Sequence, residues 1–110
     1  MKVSEALEAA RQLMNNGKHW VKGIAETINS DGEHCYCSLG AIGVVTDDAG
    51  DDAYMLCRRK LLNALPSVFA SKGSVSEYND APHTTWPDID ALFKRAIALA
   101  QEEEVANEPV

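Results

Sequence analysis

The sequence lacks a long hydrophobic run and a cysteine framework, and no signal peptide is predicted. It contains no stretch of roughly 18 apolar residues, so no segment is predicted to cross a bilayer. The first residues, Met1–Ala6, have no apolar core of the kind that directs secretion. The chain has three cysteines, an odd number without the spacings of a disulfide-rich secreted domain. We therefore expect reduced thiols and a cytoplasmic location.

Positive charge is also scarce. Ten lysines and arginines are outnumbered by 17 aspartates and glutamates, which gives a formal net charge of −7. Nucleic-acid binders need clustered cations that displace counterions from phosphates, and anionic membranes attract the same groups. The basic cluster here, Arg58–Lys60, is interpreted as the solvated face of a helix. We expect no DNA or RNA partner and no membrane partner.

The overall composition is that of a globular domain, with 45% hydrophobic and 25% charged residues. We predict a single helical domain over residues 1–104 and a disordered tail over residues 105–110. Gln101–Glu104 places negative charge at the end of the last helix. Because the helix dipole disfavours negative charge there, fraying is expected to begin in that segment.

Hydrophobic periodicity predicts a mainly α fold, a compact bundle of about four helices with a short β segment near residues 20–34. The first helix is expected to begin at Ser4 as N-cap, and the last at Thr85, which is followed by a proline and a carboxylate in the first turn. Between them, a short buried helix is predicted over residues 36–45.

The third helix is expected to begin at Asp51 or Asp52, whose charges suit a helix N-terminus, and to end before Pro66. Residues 71–82 are predicted to form a loop, in which 75–78 is a brief ordered segment. The turn residues Asn, Ser, Asp and Gly at 29–32 are expected to close the short β segment.

His34–Cys37 is the segment most similar to a metal site. Cys57 or His83 could complete a tetrahedral zinc site, but structural zinc usually shows two spaced ligand pairs, and only one such group occurs here. The alternative is buried thiols that pack as small hydrophobic groups beside a surface histidine. We predict no catalytic residue, no cofactor and no metal.

A polar segment with an aromatic residue precedes the last helix. Asn and Asp side chains readily bond backbone groups, so this segment can be a structured turn that fixes the helix. It can also be a binding loop held by a rigid scaffold. The candidate binding residues, including two tryptophans near loops, are Trp20, Tyr78, Asn79, Asp80, His83 and Trp86.

Four segments together carry a resemblance to a known family. They are Trp20 with Gly23, Cys37–Ala41, Tyr78–Pro82 with Thr85, and Asp88–Ile97. In this order they resemble a family of small proteins of unknown function encoded by bacteriophages and actinobacteria. The resemblance implies a compact α-rich fold and a phage or prophage origin. The turn at 29–34 departs from the family pattern, in which a longer insert precedes the cysteine.

Three functions are open at this point. The first is a non-enzymatic phage-type protein that binds a host protein or self-associates, with the tryptophans as interface anchors. The second is a small-molecule binder or nucleotide sponge, in which Trp20, Tyr78 and Trp86 stack a base and Arg58 or Arg59 binds phosphate.

The third function is an enzyme. Asp80 and His83 could act as an acid/base pair near Cys37, although this rests on residue types alone. The resemblance implies no activity, and if the protein is phage-encoded the expected location is the host cytoplasm.

Overall fold

The computed structural model describes residues 1–108 and confirms the mainly α prediction. Within these residues the chain forms six α-helices and one two-stranded antiparallel sheet. In chain order the elements are α1 (Val3–Leu13), β1 (Glu26–Ile28), β2 (His34–Tyr36), α2 (Ser38–Val45), α3 (Asp51–Ala64), α4 (Ser67–Ala70), α5 (Val75–Asp80) and α6 (Trp86–Ala106).

The core lies between the inner faces of α1, α2, α3 and α6. The apolar stripes predicted for α1 and α6 both face it, since these two helices pack against each other along their length. The largest fully buried apolar side chains are Leu7 of α1, Met14 directly after it, Ile42 of α2, Cys57 and Leu61 of α3, and Ile89, Leu92 and Phe93 of α6.

The sheet is a hairpin of two three-residue strands that pairs Glu26 with Tyr36 and Ile28 with His34. Asn29 closes its turn, because its side-chain Oδ1 accepts hydrogen bonds from the backbone N–H groups of Asp31 (2.9 Å) and Glu33 (3.0 Å). The predicted β segment near residues 20–34 is therefore present, and its second strand continues to Tyr36.

The predicted N-cap of α1 is wrong. The helix begins at Val3, and the Lys2 N–H donates to Glu5 Oε1 at 2.8 Å. Ser4 lies in the first turn, where its Oγ donates to Glu104 Oε1 (2.7 Å) and its N–H donates to Glu104 Oε2 (3.1 Å). A carboxylate from α6 thus binds the positive end of the α1 dipole.

This contact also corrects the expected fraying of α6. Glu104 has a partner at the N-terminus of α1, and the helix continues to Ala106, beyond the predicted start of the tail at residue 105. Residues 109–110 of that predicted tail lie outside the described residues.

The start of α6 is as predicted. Thr85 precedes the first helical residue, Pro87 lies in the first turn, and Asp88 Oδ2 accepts from the Thr85 N–H (2.9 Å) and from Thr85 Oγ1 (3.1 Å). Satisfying the backbone N–H ahead of the helix holds its entry angle.

The predicted loop at 71–82 is wrong over half of its length. Residues Val75–Asp80 form α5. Ser74 caps this helix, since its Oγ accepts from the Glu77 N–H at 3.1 Å. The ordered segment expected at 75–78 is thus one end of a helix that also contains Asn79 and Asp80. These two residues are not in a loop.

Candidate functional site

Asn79 lies at the centre of the predicted binding residues. It is 1% exposed, and its Oδ1 accepts from Trp20 Nε1 (2.7 Å), the Ser38 N–H (3.1 Å) and Ser38 Oγ (2.8 Å). Its Nδ2 donates to the Val21 carbonyl at 3.0 Å. One amide therefore joins α5 to the first residue of α2 and to the segment before β1.

Asp80 extends this network toward the surface. Its Oδ1 accepts from the Gly23 N–H (2.8 Å) and from Asn79 Nδ2 (2.9 Å). The neighbouring Lys22 donates from Nζ to the Ala81 carbonyl at 2.7 Å. Residues 79–81 thus hold the segment 20–23 in place through side-chain and backbone hydrogen bonds.

The other three predicted residues, Tyr78, His83 and Trp86, have different surroundings. Trp86 lies beside Trp20, with ring centroids 6.3 Å apart and planes tilted by 53°, and Trp86 Nε1 donates to Asn16 Oδ1 at 3.1 Å. Tyr78 is buried elsewhere, edge-on to Phe69 at 5.0 Å, and burial raises its pKa. His83 is exposed.

A cleft of about 350 Å³ opens on the other side of Asp80. Its lining comes from four parts of the chain: the segment before β1, the start of α2, and one or two residues each from α3 and α5. The lining residues are Gly23, Ile24, Ala25, Cys37, Leu39, Gly40, Tyr54, Ser76 and Asp80.

Helix α2 contributes Leu39 and Gly40 to the lining of this cleft. Its inner side, with Ala41 and Ile42, is fully buried. Its sequence has no charged residue, so its outer side is apolar as well. A helix that is hydrophobic all round is normally covered on every side.

The prediction that this helix is buried is therefore only half right. Val44 is 44% exposed, and Leu39 and Gly43 are partly exposed on the same outward arc. Ile24, 53% exposed, and the partly exposed Tyr54 line the cleft together with Leu39 of this arc. We call the set Ile24, Leu39, Gly43, Val44 and Tyr54 the α2 face.

The two glycines of α2 have different surroundings. A Cβ on Gly40 would overlap the carbonyl oxygen of Ala25 and lie 2.8 Å from its carbonyl carbon. That carbonyl also accepts from the Cys37 N–H at 3.1 Å. A Cβ on Gly43, one turn later, would meet nothing within 4 Å. The missing side chain at Gly40 leaves room for the backbone of Ala25. The corresponding space at Gly43 is empty.

The cysteines are free and buried. Cys37 precedes α2 and its Sγ accepts from the Gly40 N–H at 3.3 Å, whereas burial raises the pKa of Cys57 to about 11. Residues 1–108 contain no group of three or more His, Cys, Asp or Glu side chains placed to hold a metal ion. Over the same residues, no helix has the length and apolar character needed to cross a membrane.

A sequence model of a family of unknown function (DUF6197) matches residues 1–99. The chain belongs to this family. The predicted membership in a family of unknown function is thereby confirmed, and the matched range includes the Asn79 network, the cleft and the α2 face. Neither the curated proteins nor the solved structures contain a match to the chain.

Sequence reasoning singled out Trp20, Asn79 and Asp80, which the network joins, but missed the α2 face. The segment 38–45 is apolar at every helical position after Ser38 and contains two glycines. This pattern is typical of a helix covered on every side, so it does not show which side of α2 lacks a neighbour.

Proposed function

We propose that this protein is a non-enzymatic binding module whose α2 face holds a segment of another protein. The observation that carries the proposal is the uncovered apolar arc of α2, with Val44 44% exposed and Gly43 open to close approach. Exposed apolar surface on a helix next to a cleft is found at many protein interaction sites. The tyrosine at its edge, Tyr54, is of a residue type enriched at such interfaces.

The family-like residues support a scaffold for this face. Asn79 binds the first residue of α2 and the segment that leads to Ile24. The backbone carbonyl of Ala25 rests against Gly40. A surface assembled from segments pinned in this way is preorganised, which lowers the entropic cost of binding.

The alternatives receive less support. None of Trp20, Tyr78 and Trp86 lines the cleft, and the two tryptophan N–H groups are bonded within the chain, so no slot for a nucleotide base is apparent around them. The Asp80 carboxylate is engaged by backbone and amide N–H groups, which does not favour an acid/base role.

The expected location and partner class stay part of this proposal. Three free, buried cysteines are consistent with the reducing cytoplasm. The resemblance to phage-encoded proteins makes a host protein the proposed partner. Nucleic acid is not proposed, because Lys60 of the basic cluster pairs with Glu103 and the net charge is −7.

The test is a matched pair of surface variants in a bacterial host. Gly43→Trp places a large side chain on the α2 face at a position where a Cβ would meet no atom of another element within 4 Å, so we expect the fold to tolerate it. Ala98→Trp places the same side chain on the exposed side of α6 as the control. The partner retained by the wild-type protein is identified, purified and titrated against all three proteins.

We expect the wild type and Ala98→Trp to bind the partner equally and Gly43→Trp to lose binding. Equal binding by all three proteins, or a wild-type protein that remains a monomer without any partner, would contradict the proposal.

A further inference from the structure

The α2 face is bordered by carboxylates. Asp47 and Asp48 follow directly after α2, and Asp51 lies one helical turn before Tyr54 in α3. All three are exposed, and none forms an ion pair within residues 1–108. The run places concentrated negative charge at one border of an apolar surface.

The opposite border is acidic as well. Asp80 lines the cleft from α5, next to the exposed Glu77 one turn earlier. We call the acidic residues on the two borders, Asp47, Asp48, Asp51, Glu77 and Asp80, the acidic rim.

Two cations lie near this surface. Lys22 donates to the Ala81 carbonyl and lies over the ring of Trp20, 5.7 Å from its centroid. Arg58 is one turn after Tyr54 and partly buried. Neither forms an ion pair with a rim carboxylate within the described residues, and the rim carboxylates outnumber these two cations.

We infer that the segment held on the α2 face is basic and belongs to a different protein, not to a second copy of this chain; the inference rests on the proposed function. In a symmetric dimer through this face the same patch meets itself, so rim carboxylates would oppose rim carboxylates. The net charge of −7 on each copy adds to that repulsion. Lysines or arginines flanking an apolar stripe would complement both the rim and the face.

Gly43 indicates how closely that segment approaches. At Gly40 the absent side chain admits the backbone carbonyl of Ala25, and Gly43 offers the same depth on the same arc. The bound segment therefore packs its backbone or a small residue at Gly43, with larger apolar side chains against Val44 and Ile24 and cationic ones toward the rim.

The experiment uses two fluorescent peptides of about four helical turns, one amphipathic with leucine and lysine and one with leucine and glutamate in the same pattern. Each is titrated against the full chain at low and high salt. We expect the lysine peptide to bind, with an affinity about tenfold weaker at high salt, and the glutamate peptide to show no binding.

Two double variants with the same net charge separate the rim from general attraction. Asp47→Lys with Asp48→Lys reverses charge at the rim, and Glu102→Lys with Glu108→Lys reverses exposed charges near the end of α6. The rim variant should weaken binding of the lysine peptide about tenfold and the α6 variant less than about twofold. Gly43→Trp should abolish binding. Circular dichroism melts confirm that each variant is folded.

Equal losses in the two double variants would show general attraction only and overturn the inference. Absence of lysine-peptide binding, or a dimer in sedimentation that Gly43→Trp abolishes, would overturn it as well. Gly43→Trp could abolish binding of the natural partner while the rim variant binds it normally. The inference of a basic segment would then be wrong, and the α2 face would remain the binding surface.

Discussion

The indole of Trp20 donates a hydrogen bond of 2.7 Å to the side-chain oxygen of Asn79, 59 residues away in the chain. The same oxygen accepts two bonds from Ser38 at the start of α2. Through this atom, the segment before the sheet, the N-terminus of α2 and the end of α5 become one unit. The cleft and the α2 face are built on that unit.

Replacing Asn79 should be costly because several buried partners would lose their bonds together. We expect Asn79→Ala to lower the free energy of unfolding by about 3 kcal/mol, since buried groups left unpaired cost about 1–3 kcal/mol each. Asn63→Ala, at an exposed position, is the control and should change it by less than about 0.5 kcal/mol. Urea unfolding measures the stability of both variants. Equally small effects would show that Asn79 has no structural role.

Asp80→Ala should have a smaller effect. Its carboxylate is exposed and binds the Gly23 N–H, which can turn to water when the carboxylate is removed. We expect a loss of about 1 kcal/mol in the same urea experiment. An unchanged unfolding midpoint together with lost partner binding would instead assign Asp80 a direct role in recognition.

The two glycines of α2 provide a matched pair. Gly40→Ala forces a Cβ against the Ala25 carbonyl and should destabilise the protein by about 1–3 kcal/mol. Gly43→Ala meets nothing and should stabilise it by about 0.5–1 kcal/mol, because alanine favours the helix. Thermal or urea unfolding distinguishes the two directions. Equal signs would refute the difference in packing on which the α2 face depends.

Acid sensitivity should depend on Arg11. Its hydrogen bonds lower the pKa of Glu8, and for Asp90 burial alone would raise the pKa, but bonds from Arg11 and Lys94 outweigh it and lower the value. Such carboxylates stabilise the fold above their unfolded pKa of about 4, and the contribution is lost as the pH falls through the lower folded pKa.

We therefore expect Arg11→Met to cost about 1 kcal/mol near neutral pH and to lose less stability than the wild type on acidification. Urea midpoints at several pH values between about 2 and 7 measure this. Parallel curves for the two proteins would mean that the Arg11 pairs contribute nothing to the acid response. Lys94→Met, which removes only an exposed partner of Asp90, should give a smaller change.

Thiol labelling should follow burial. Cys57 is fully buried and its pKa is raised to about 11, so little thiolate forms and the reagent cannot reach it. Cys35 and Cys37 are buried as well. We expect slow labelling of the native protein and rapid labelling of all three thiols in urea. Mass spectrometry measures the labelling of each thiol over time. Rapid native labelling of Cys37 would show that the start of α2 opens readily.

The elements that sequence could predict are those specified by nearby residues. The start of α6 is written in Thr85, Pro87 and Asp88, and its stripe continues at helical spacing to Ala100. The signal for α5 was also present, since Ser74 precedes Glu77 by three residues, but the polar composition of 76–83 favoured a loop.

The remaining features depend on contacts between distant residues. The strands are three residues long, and Tyr36 is held by backbone bonds to His19 (2.8 Å) and Val21 (3.0 Å) that no local pattern specifies. By itself, Glu104 is unfavourable at the negative end of the α6 dipole. The N-terminus of α1, which lies beside it in the fold, compensates for this. The exposure of Val44 likewise follows from which helices surround α2, not from its own sequence.

The central claim, that the α2 face is the binding surface, is tested most directly by position-specific photo-crosslinking in the host. A photoreactive benzoylphenylalanine replaces Val44 on the face or, as control, Ala98 on α6, both at exposed positions. The account predicts a crosslink from position 44 to one distinct host protein, none from position 98, and loss of the crosslink when Gly43→Trp is added. Equal crosslinking from both positions, or crosslinks from position 44 only to a second copy of the chain, would contradict it.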